Sequence, residues 1–123
     1  MTTKLFVRSS TDMFAQLCLA TASMAGVPLE VVIVTDEVKT SKDFKKVNTA
    51  GTLPLLVEGE TAIAETIAIC KYLARVGPDA TDLLGASVLE QTQVQQWLSV
   101  AFSQISPNVS MAAHATFGIL TPF

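Results

Sequence analysis

Residues 55–76 have the sequence LLVEGETAIAETIAICKYLARV, and this stretch decides the fold. Two short apolar runs flank a polar turn at 58–60, a pattern that predicts an antiparallel β-hairpin. A helix is predicted to begin at Glu65 and Thr66 and to end at Val76, because apolar residues then recur at helical spacing and a Gly-Pro pair follows. The stretch therefore predicts a hairpin that leads directly into a helix.

The preceding part of the chain predicts a strand, a helix and a second strand. The β-branched run VVIV at 31–34 is typical of a parallel strand that is buried on both faces. Before the helix, Ser9, Ser10 and Thr11 offer capping hydroxyls, and Asp12 is expected in the first turn. The expected buried face of this helix consists of Phe14, Leu17, Cys18, Thr21, Met24 and Ala25.

The predicted order of elements is β-α-β-α-β-β-α, followed by a linker and at least one long helix. A parallel strand pair joined by a helix, then an antiparallel hairpin, with helices on both sides of the sheet, is the α/β thioredoxin-like architecture. We expect this domain at 1–76 and a linker rich in Gly, Pro and Asp at 77–86. Residues 87–123 are expected to begin an all-α domain.

The composition excludes several classes of protein. The chain has 123 residues, a formal net charge of −3, 50% apolar residues and 15% charged residues. This excludes disorder and a polybasic arm, and no direct nucleic-acid binding is expected. The lysines between 39 and 46 indicate either a solvated face or a weak attraction for an anionic ligand or RNA. No charged residue follows Glu90, so we expect 91–123 to be buried on more than one side, in part by further chain or a partner.

The charge-free segment is predicted to form a long helix. Ser87 and Glu90 have the spacing of a capping box. Trp97 is expected to be a core anchor, and Pro107 is expected to kink or end the helix. Polar residues interrupt the segment too often for a membrane span. The predicted apolar stripe consists of Val94, Trp97, Leu98, Ala101 and Ile105.

The two cysteines, Cys18 and Cys70, lie in separate helical patterns, with no second cysteine close in the sequence. This spacing excludes a CxxC redox pair and supplies too few ligands for a metal cluster, so no metal is expected. Both are predicted to be reduced core thiols of a cytosolic protein. The N-terminus contains no apolar segment of signal-peptide length, and a cytoplasmic location is therefore expected.

Two predicted helix N-termini are expected to face the same edge of the sheet, where free N–H groups attract an anion. Ser9 and Ser10 at the first either cap the helix or donate a hydrogen bond to a thiolate. Glu65 and Thr66 at the second either act as a cap or hold a carboxylate. Pro54 indicates either an edge strand or a cis turn that exposes the backbone to a ligand.

These residues together resemble the glutathione transferase superfamily. The similarity covers residues 4–76, and the combination of segments is more specific than any one of them. The segments that carry it are RSST at 8–11, NTAGTLPLL at 48–56 and AETIAI at 64–69.

The resemblance implies a site for glutathione as a ligand or co-substrate, without a resident cofactor. In that site Leu53, before a cis-proline at Pro54, pairs with the cysteinyl backbone of glutathione. The family commonly carries Lys where this chain has Thr52, and an Arg within the first helix turn, where this chain has Asp12, Met13 and Phe14. The loss of positive charge disfavours efficient catalysis more than binding. The implied binding residues are Leu53, Pro54, Glu65 and Thr66, and the implied catalytic hydroxyl belongs to Ser9 or Ser10.

The second segment resembles the helical domain of the elongation factor 1 gamma family, a pattern shared with some valyl-tRNA synthetases. The resemblance implies a scaffold that docks the nucleotide-exchange subunit of the elongation complex, with aminoacyl-tRNA synthetases as further partners. It also implies a helical domain that continues past Phe123. The matching residues are QVQQWLSVA at 93–101, Ser103, Ile105, Pro107, Ser110 and TFGI at 116–119.

Two functions from different classes remain open at this point. The first is the scaffold domain, and the second is a serine-type glutathione transferase in which Ser9 or Ser10 activates a thiolate for attack on an electrophile. Residual transferase activity is compatible with a scaffold, and a homodimer is compatible with both. A third function, a redox or stress chaperone of the same fold, is disfavoured by the lack of CxxC.

Overall fold

The computed structural model describes residues 3–79 and 82–118. The chain forms two compact units, 1–83 and 84–123. Residues 80–81 of the predicted linker and Ile119 of the predicted helical pattern lie outside the described residues. The elements are β1 Thr3–Val7, α1 Met13–Ala25, β2 Leu29–Ile33, α2 Asp36–Thr40, α3 Lys42–Val47, β3 Leu55–Glu58, β4 Thr61–Ala64, α4 Thr66–Val76, α5 Val88–Val100 and α6 Ser106–Thr116, with a π-helical turn at Ala101–Ile105.

The first unit has the predicted thioredoxin-like fold, with the region between β2 and β3 divided into two short helices. Its four-stranded sheet has the order β2-β1-β3-β4. β1 and β2 are parallel, whereas β3 is antiparallel to both β1 and β4. Because β3 lies inside the sheet, the edge-strand interpretation of Pro54 is wrong. Pro54 precedes the first residue of β3, where its missing N–H removes no hydrogen bond from the strand ladder.

The core of the first unit lies between the sheet and the helices α1 and α4. Alternation along β1 directs Leu5 and Val7 into this core. Phe6, between them, points to the other face, where its ring lies 5.5 Å from that of Phe44 on α3. Each fully buried large aliphatic side chain contributes about 1.5–3 kcal/mol relative to exposure. The core cluster consists of Leu5, Val7, Ala15, Cys18, Ala22, Leu56, Ile69 and Leu73.

The buried face of α1 differs from the predicted one. Leu17 and Met24, which were expected inside, are exposed. Small side chains occupy the face toward α4, and they allow the two helices to approach closely. Gly77, directly after α4, lies so near the carbonyl of Ala25 that a Cβ atom would not fit there. The buried residues of α1 are Ala15, Cys18, Ala22 and Ala25.

The prediction that the second strand is buried on both faces is wrong. β2 pairs only with β1 and therefore forms an edge of the sheet. Val31 is exposed, and so is Ile33 at 54% of its surface. The apolar run alone could not distinguish an edge from a central position, because both favour β-branched residues.

The second unit contains one helical run, formed by α5, the π-helical turn and α6. The predicted capping box is confirmed: the Ser87 hydroxyl accepts from the Glu90 N–H at 3.2 Å, and the Glu90 carboxylate accepts from the Ser87 N–H at 2.8 Å. Among residues 84–118 no side chain is buried, and Trp97 is 68% exposed. The core-anchor role expected of Trp97 is therefore wrong for residues 84–118, whereas the expected cover by further chain or a partner stays a prediction. Within these residues the single helical run supplies no second element to cover the indole.

Pro107 does not end the helical run, so that alternative of the prediction is wrong, whereas the predicted kink stays a prediction. It lies at the start of α6, directly after the π-helical turn. A proline ring clashes with the carbonyl four residues earlier, here that of Ser103. The wider π-helical turn contains Ser103, and such turns accommodate irregular residues within a helix.

Candidate functional site

The register of the sheet brings the predicted site residues to one end of the strands, the end where β1 and β4 finish and β3 begins. Phe6 pairs with Leu55, and Leu55 pairs with Ala64. The residues that follow β1, precede β3 and follow β4 therefore emerge at the same edge. They include all six predicted site residues: Ser9, Ser10, Leu53, Pro54, Glu65 and Thr66.

The cap of α1 is Asp12 and not the predicted hydroxyls of Ser9, Ser10 or Thr11. The Asp12 carboxylate accepts from the N–H groups of Phe14 at 2.9 Å and Ala15 at 3.2 Å. The Ser9 hydroxyl pairs instead with the Thr11 hydroxyl at 2.8 Å, and Ser10 is exposed. Aspartate is favoured over a hydroxyl residue as the cap because its negative charge also interacts favourably with the positive end of the helix dipole.

The Asp12 carboxylate changes the electrostatics of the predicted catalytic position. The free N–H groups of α1 would stabilise a thiolate only if they were available to it. Two of them already bind Asp12. A thiolate beside Asp12 would also meet a like charge, and a like charge disfavours the ionised form. The N-terminus of α1 is therefore a poor place to activate a thiol.

The N-terminus of α4 has a different character, because its backbone is strained. Glu65 has φ 71° and ψ 121°, and its side chain makes no capping hydrogen bond to α4. A non-glycine residue in this region costs about 1–3 kcal/mol, and such residues cluster at ligand clamps. The next residue, Thr66, is buried at the helix start. The prediction that Glu65 and Thr66 serve only as a side-chain cap of α4 is therefore not supported.

The peptide bond between Leu53 and Pro54 is cis, as the family resemblance implied. Pro54 is buried and Leu53 is half-buried. The preceding turn is held by Asn48, whose side chain donates to the Thr52 carbonyl at 3.1 Å and accepts from the Gly51 N–H at 2.9 Å.

A cavity of about 490 Å³ opens beside Leu53 in the first unit. Three cationic side chains and one carboxylate line it, so its charge favours an anionic ligand. Two roles were predicted for the lysines, a solvated face or a weak attraction for an anion. For Lys39 and Lys45, which line the cavity, the structure favours the second. Sequence reasoning placed Asn48 in a turn but did not assign it to the site, although Asn with Gly51 three positions later was a usable turn signal. The lining residues are Arg8, Val34, Asp36, Lys39, Phe44, Lys45, Asn48, Thr49, Gly51 and Leu53.

Among residues 3–79 and 82–118, no group of three or more His, Cys, Asp or Glu side chains is arranged to hold a metal ion. In the same ranges, no helix is both long enough and apolar enough to cross a membrane.

A thioredoxin-like sheet, with a strained helix start and a cation-lined cavity at one edge, defines the class of this domain. The family model described as "Glutathione S-transferase, N-terminal domain" matches residues 13–76, which is more than half of the chain. The chain therefore belongs to the glutathione S-transferase N-terminal domain family.

Its relatives include both transferases and elongation factors. Glutathione S-transferase F10 of Arabidopsis thaliana is 34% identical over 83 residues, which cover 66% of this chain and 39% of that protein. Elongation factor 1-gamma of Prunus avium is 29% identical over 102 residues, which cover 81% and 24%. Elongation factor 1-gamma 3 of rice is 29% identical over 76 residues, which cover 62% and 18%. The chain thus spans less than two fifths of the length of these relatives.

Solved structures of glutathione transferases share the fold. Poplar glutathione transferase F1 matches 99% of this chain with a TM-score of 0.82 and 17% identity, over 58% of its own length. A delta-class transferase of Nilaparvata lugens matches 98% with a TM-score of 0.86 and 19% identity, also over 58%. Maize glutathione S-transferase I, in complex with an atrazine glutathione conjugate, matches 85% with a TM-score of 0.75 and 26% identity, over 49%.

Proposed function

We propose that this chain is the transferase-like scaffold domain of an elongation factor 1 gamma subunit, which docks the nucleotide-exchange subunit of that complex in the cytoplasm. The extent of the alignments supports this proposal. The match with the Prunus avium elongation factor covers 81% of the chain. An alignment of that length includes part of α5 even if it begins at the first residue of the chain. The 66% match with transferase F10 need not do so. Aminoacyl-tRNA synthetases are a further partner class.

The observation that carries the proposal is the Asp12 carboxylate at the start of α1. This carboxylate accepts hydrogen bonds from two of the N–H groups that an activated thiolate would need. A scaffold tolerates this arrangement because docking requires no ionised thiol. An efficient transferase does not, since negative charge beside the sulfur raises the thiol pKa and lowers the thiolate population.

The second unit supplies the docking surface in this proposal. Its helical run has no charged residue after Glu90. A stable interface of standard size buries roughly 1,600 Å² in total and is anchored by large apolar and aromatic side chains. The exposed large apolar side chains of the run after Glu90 are Trp97, Ile105, Val109, Met111 and Phe117.

A pull-down with the purified nucleotide-exchange subunit tests the scaffold. We expect the chain to retain this subunit and Trp97→Ser to weaken retention at least about tenfold, because buried tryptophans dominate interface energies. Gln96→Ser, on the neighbouring exposed position, is the matched control and should bind like the wild type. Retention no greater than with the tag alone would overturn the proposal.

The alternative function is a serine-type glutathione transferase, and the site at α4 favours it. A strained Glu65 and a cavity lined by Arg8, Lys39 and Lys45 suit a ligand that carries two carboxylates. The maize relative, whose structure contains a glutathione conjugate, supports the same ligand class.

Turnover, and not glutathione binding, separates this alternative from the scaffold. Calorimetric titration should detect glutathione binding in both cases if the site is intact. Turnover of an aryl halide should occur only in a transferase, and it should be lost in the double variant Ser9→Ala, Ser10→Ala. Turnover that survives in the double variant would remove both serines from the catalytic assignment.

A further inference from the structure

The two cysteines meet in the tertiary structure, although 52 positions separate them in the sequence. Cys18 lies on α1 and is fully buried in the core cluster. Cys70 lies on α4, is only half-buried, and packs against the same cluster. Across the packed helices the two thiols lie within reach of a shared hydrogen bond. Their spacing in the chain gave no sign of this proximity, whereas the prediction of reduced core thiols agrees with two free cysteines in or beside the core.

The surroundings make the two thiols chemically unequal. The hydrogen bond with Cys18 lowers the pKa of the Cys70 thiol by more than burial raises it. The same thiol–thiol hydrogen bond raises the pKa of Cys18, and burial and the negative charge of Asp12 add to this effect. Cys70 is thus both the more accessible and the more readily ionised sulfur, and reactivity follows these two properties.

We propose that Cys18 and Cys70 form a redox-responsive thiol pair, which hydrogen peroxide closes into a disulfide between α1 and α4. The Cys70 thiolate attacks one peroxide oxygen, the O–O bond breaks, and the departing hydroxide takes up a proton to become water. Cys70 is then a sulfenic acid. The Cys18 sulfur attacks the Cys70 sulfur, the S–O bond breaks, and a second water leaves with the Cys18 proton. Two thiols lose two electrons, and one peroxide becomes two waters.

This inference goes beyond the proposed function, because neither docking nor glutathione binding requires it. The disulfide would join the two helices whose N-termini border the candidate site, α1 after Ser9 and Ser10 and α4 at Thr66. It would also close a loop of about 50 residues in the unfolded chain, and such a loop stabilises the folded state. The first unit would therefore unfold less readily when oxidised.

Peptide mapping of the wild-type chain tests the proposal without any substitution. The folded chain is treated with hydrogen peroxide, alkylated and digested with trypsin without a reductant. Trypsin releases Cys18 in the peptide 9–39 and Cys70 in the peptide 47–71. We expect these two peptides to be linked, and dithiothreitol to separate them. Two alkylated or separately oxidised cysteines, or links only between different chains, would overturn the proposal.

A matched reaction in denaturant shows whether the fold creates the pair. Because the folded chain holds the sulfurs together, we expect cross-linking at least about tenfold faster than in urea at the same peroxide concentration. Equal rates would contradict a preformed pair. In Cys18→Ser, which removes the resolving thiol but keeps a hydrogen-bonding side chain beside Cys70, dimedone should trap a sulfenic acid on Cys70. Absence of that adduct, while the variant keeps the wild-type circular dichroism spectrum, would contradict Cys70 as the attacking sulfur.

Discussion

The two units of the chain are similarly rich in apolar residues, but they use them in opposite ways. All buried apolar side chains among residues 3–79 and 82–118 belong to the first unit, between Leu5 and Ala74. The helical run of the second unit leaves its large apolar side chains at least partly exposed. The first unit therefore derives its stability from a shared core, and the run in the second depends on local helix interactions. Hydrophobic content alone does not decide burial. A second packed element does.

The strongest test of this contrast is a leucine-to-alanine substitution in each unit. Leu73→Ala, at a position with 0% exposure, should lower the free energy of unfolding by about 2–5 kcal/mol, because it leaves a cavity in the core. Leu89→Ala, at 69% exposure, should change it by less than about 0.5 kcal/mol. Urea denaturation followed by circular dichroism measures both. Equal losses at the two positions would contradict the contrast.

A smaller effect is expected where the first unit is strained. Glu65→Gly removes the Cβ atom that disfavours its positive φ, and we expect about 1 kcal/mol of added stability after the entropic cost of glycine. Glu60→Gly, in the exposed hairpin turn without positive φ, is the control and should be neutral or destabilising. The same denaturation measurement applies. A loss of stability at Glu65 comparable to that at Glu60 would show that the conformation costs nothing.

In the second unit the largest effect should come from the helix start. Ser87→Ala removes a hydroxyl that accepts from a helix N–H, and we expect a local loss of about 0.5 kcal/mol. Amide hydrogen exchange in the first turn of α5 should detect it, with exchange in the core of the first unit unchanged. A global loss of stability in both units would mean that they do not unfold independently.

The same cap predicts a pH dependence. Hydrogen bonds from Ser87, the backbone N–H first and then the hydroxyl, lower the pKa of Glu90 below its ordinary value of 4.5. The folded-state pKa is the lower one, so the stabilisation is complete above pH 4.5 and is lost as the pH falls through the lowered pKa. An NMR titration of the Glu90 carboxyl carbon measures this shift. Ser87→Ala should move the pKa part of the way back, and no movement would remove the hydroxyl as a contributor.

The smallest effect is expected at Trp97. Trp97→Ala should change stability by less than about 0.5 kcal/mol, because the indole is mostly exposed. As the single tryptophan of the chain, it also reports its own surroundings. Its fluorescence should resemble that of tryptophan in water and should be quenched readily by acrylamide. A shielded, blue-shifted emission would instead restore the predicted core anchor.

The elements of this protein could be predicted from sequence because their signals are local. The Gly-Pro stop after Val76, the turn at 58–60 and the Ser87–Glu90 box each depend on a few neighbouring residues. The segments that carry the six candidate site residues also share one end of the strands, since the strand order followed from the fold class, and the roles of these residues stay predictions. What failed was the assignment of faces: Leu17, Ile33 and Trp97 are apolar, yet no partner covers them fully.

The order of strands and helices and the thioredoxin-like class follow from local patterns in the amino-acid sequence, because backbone propensities and turn chemistry act over a few residues. The edge position of β2, the Asp12 cap and the proximity of Cys18 to Cys70 follow from the folded arrangement. Burial, charge environment and thiol proximity depend on which distant segments pack together.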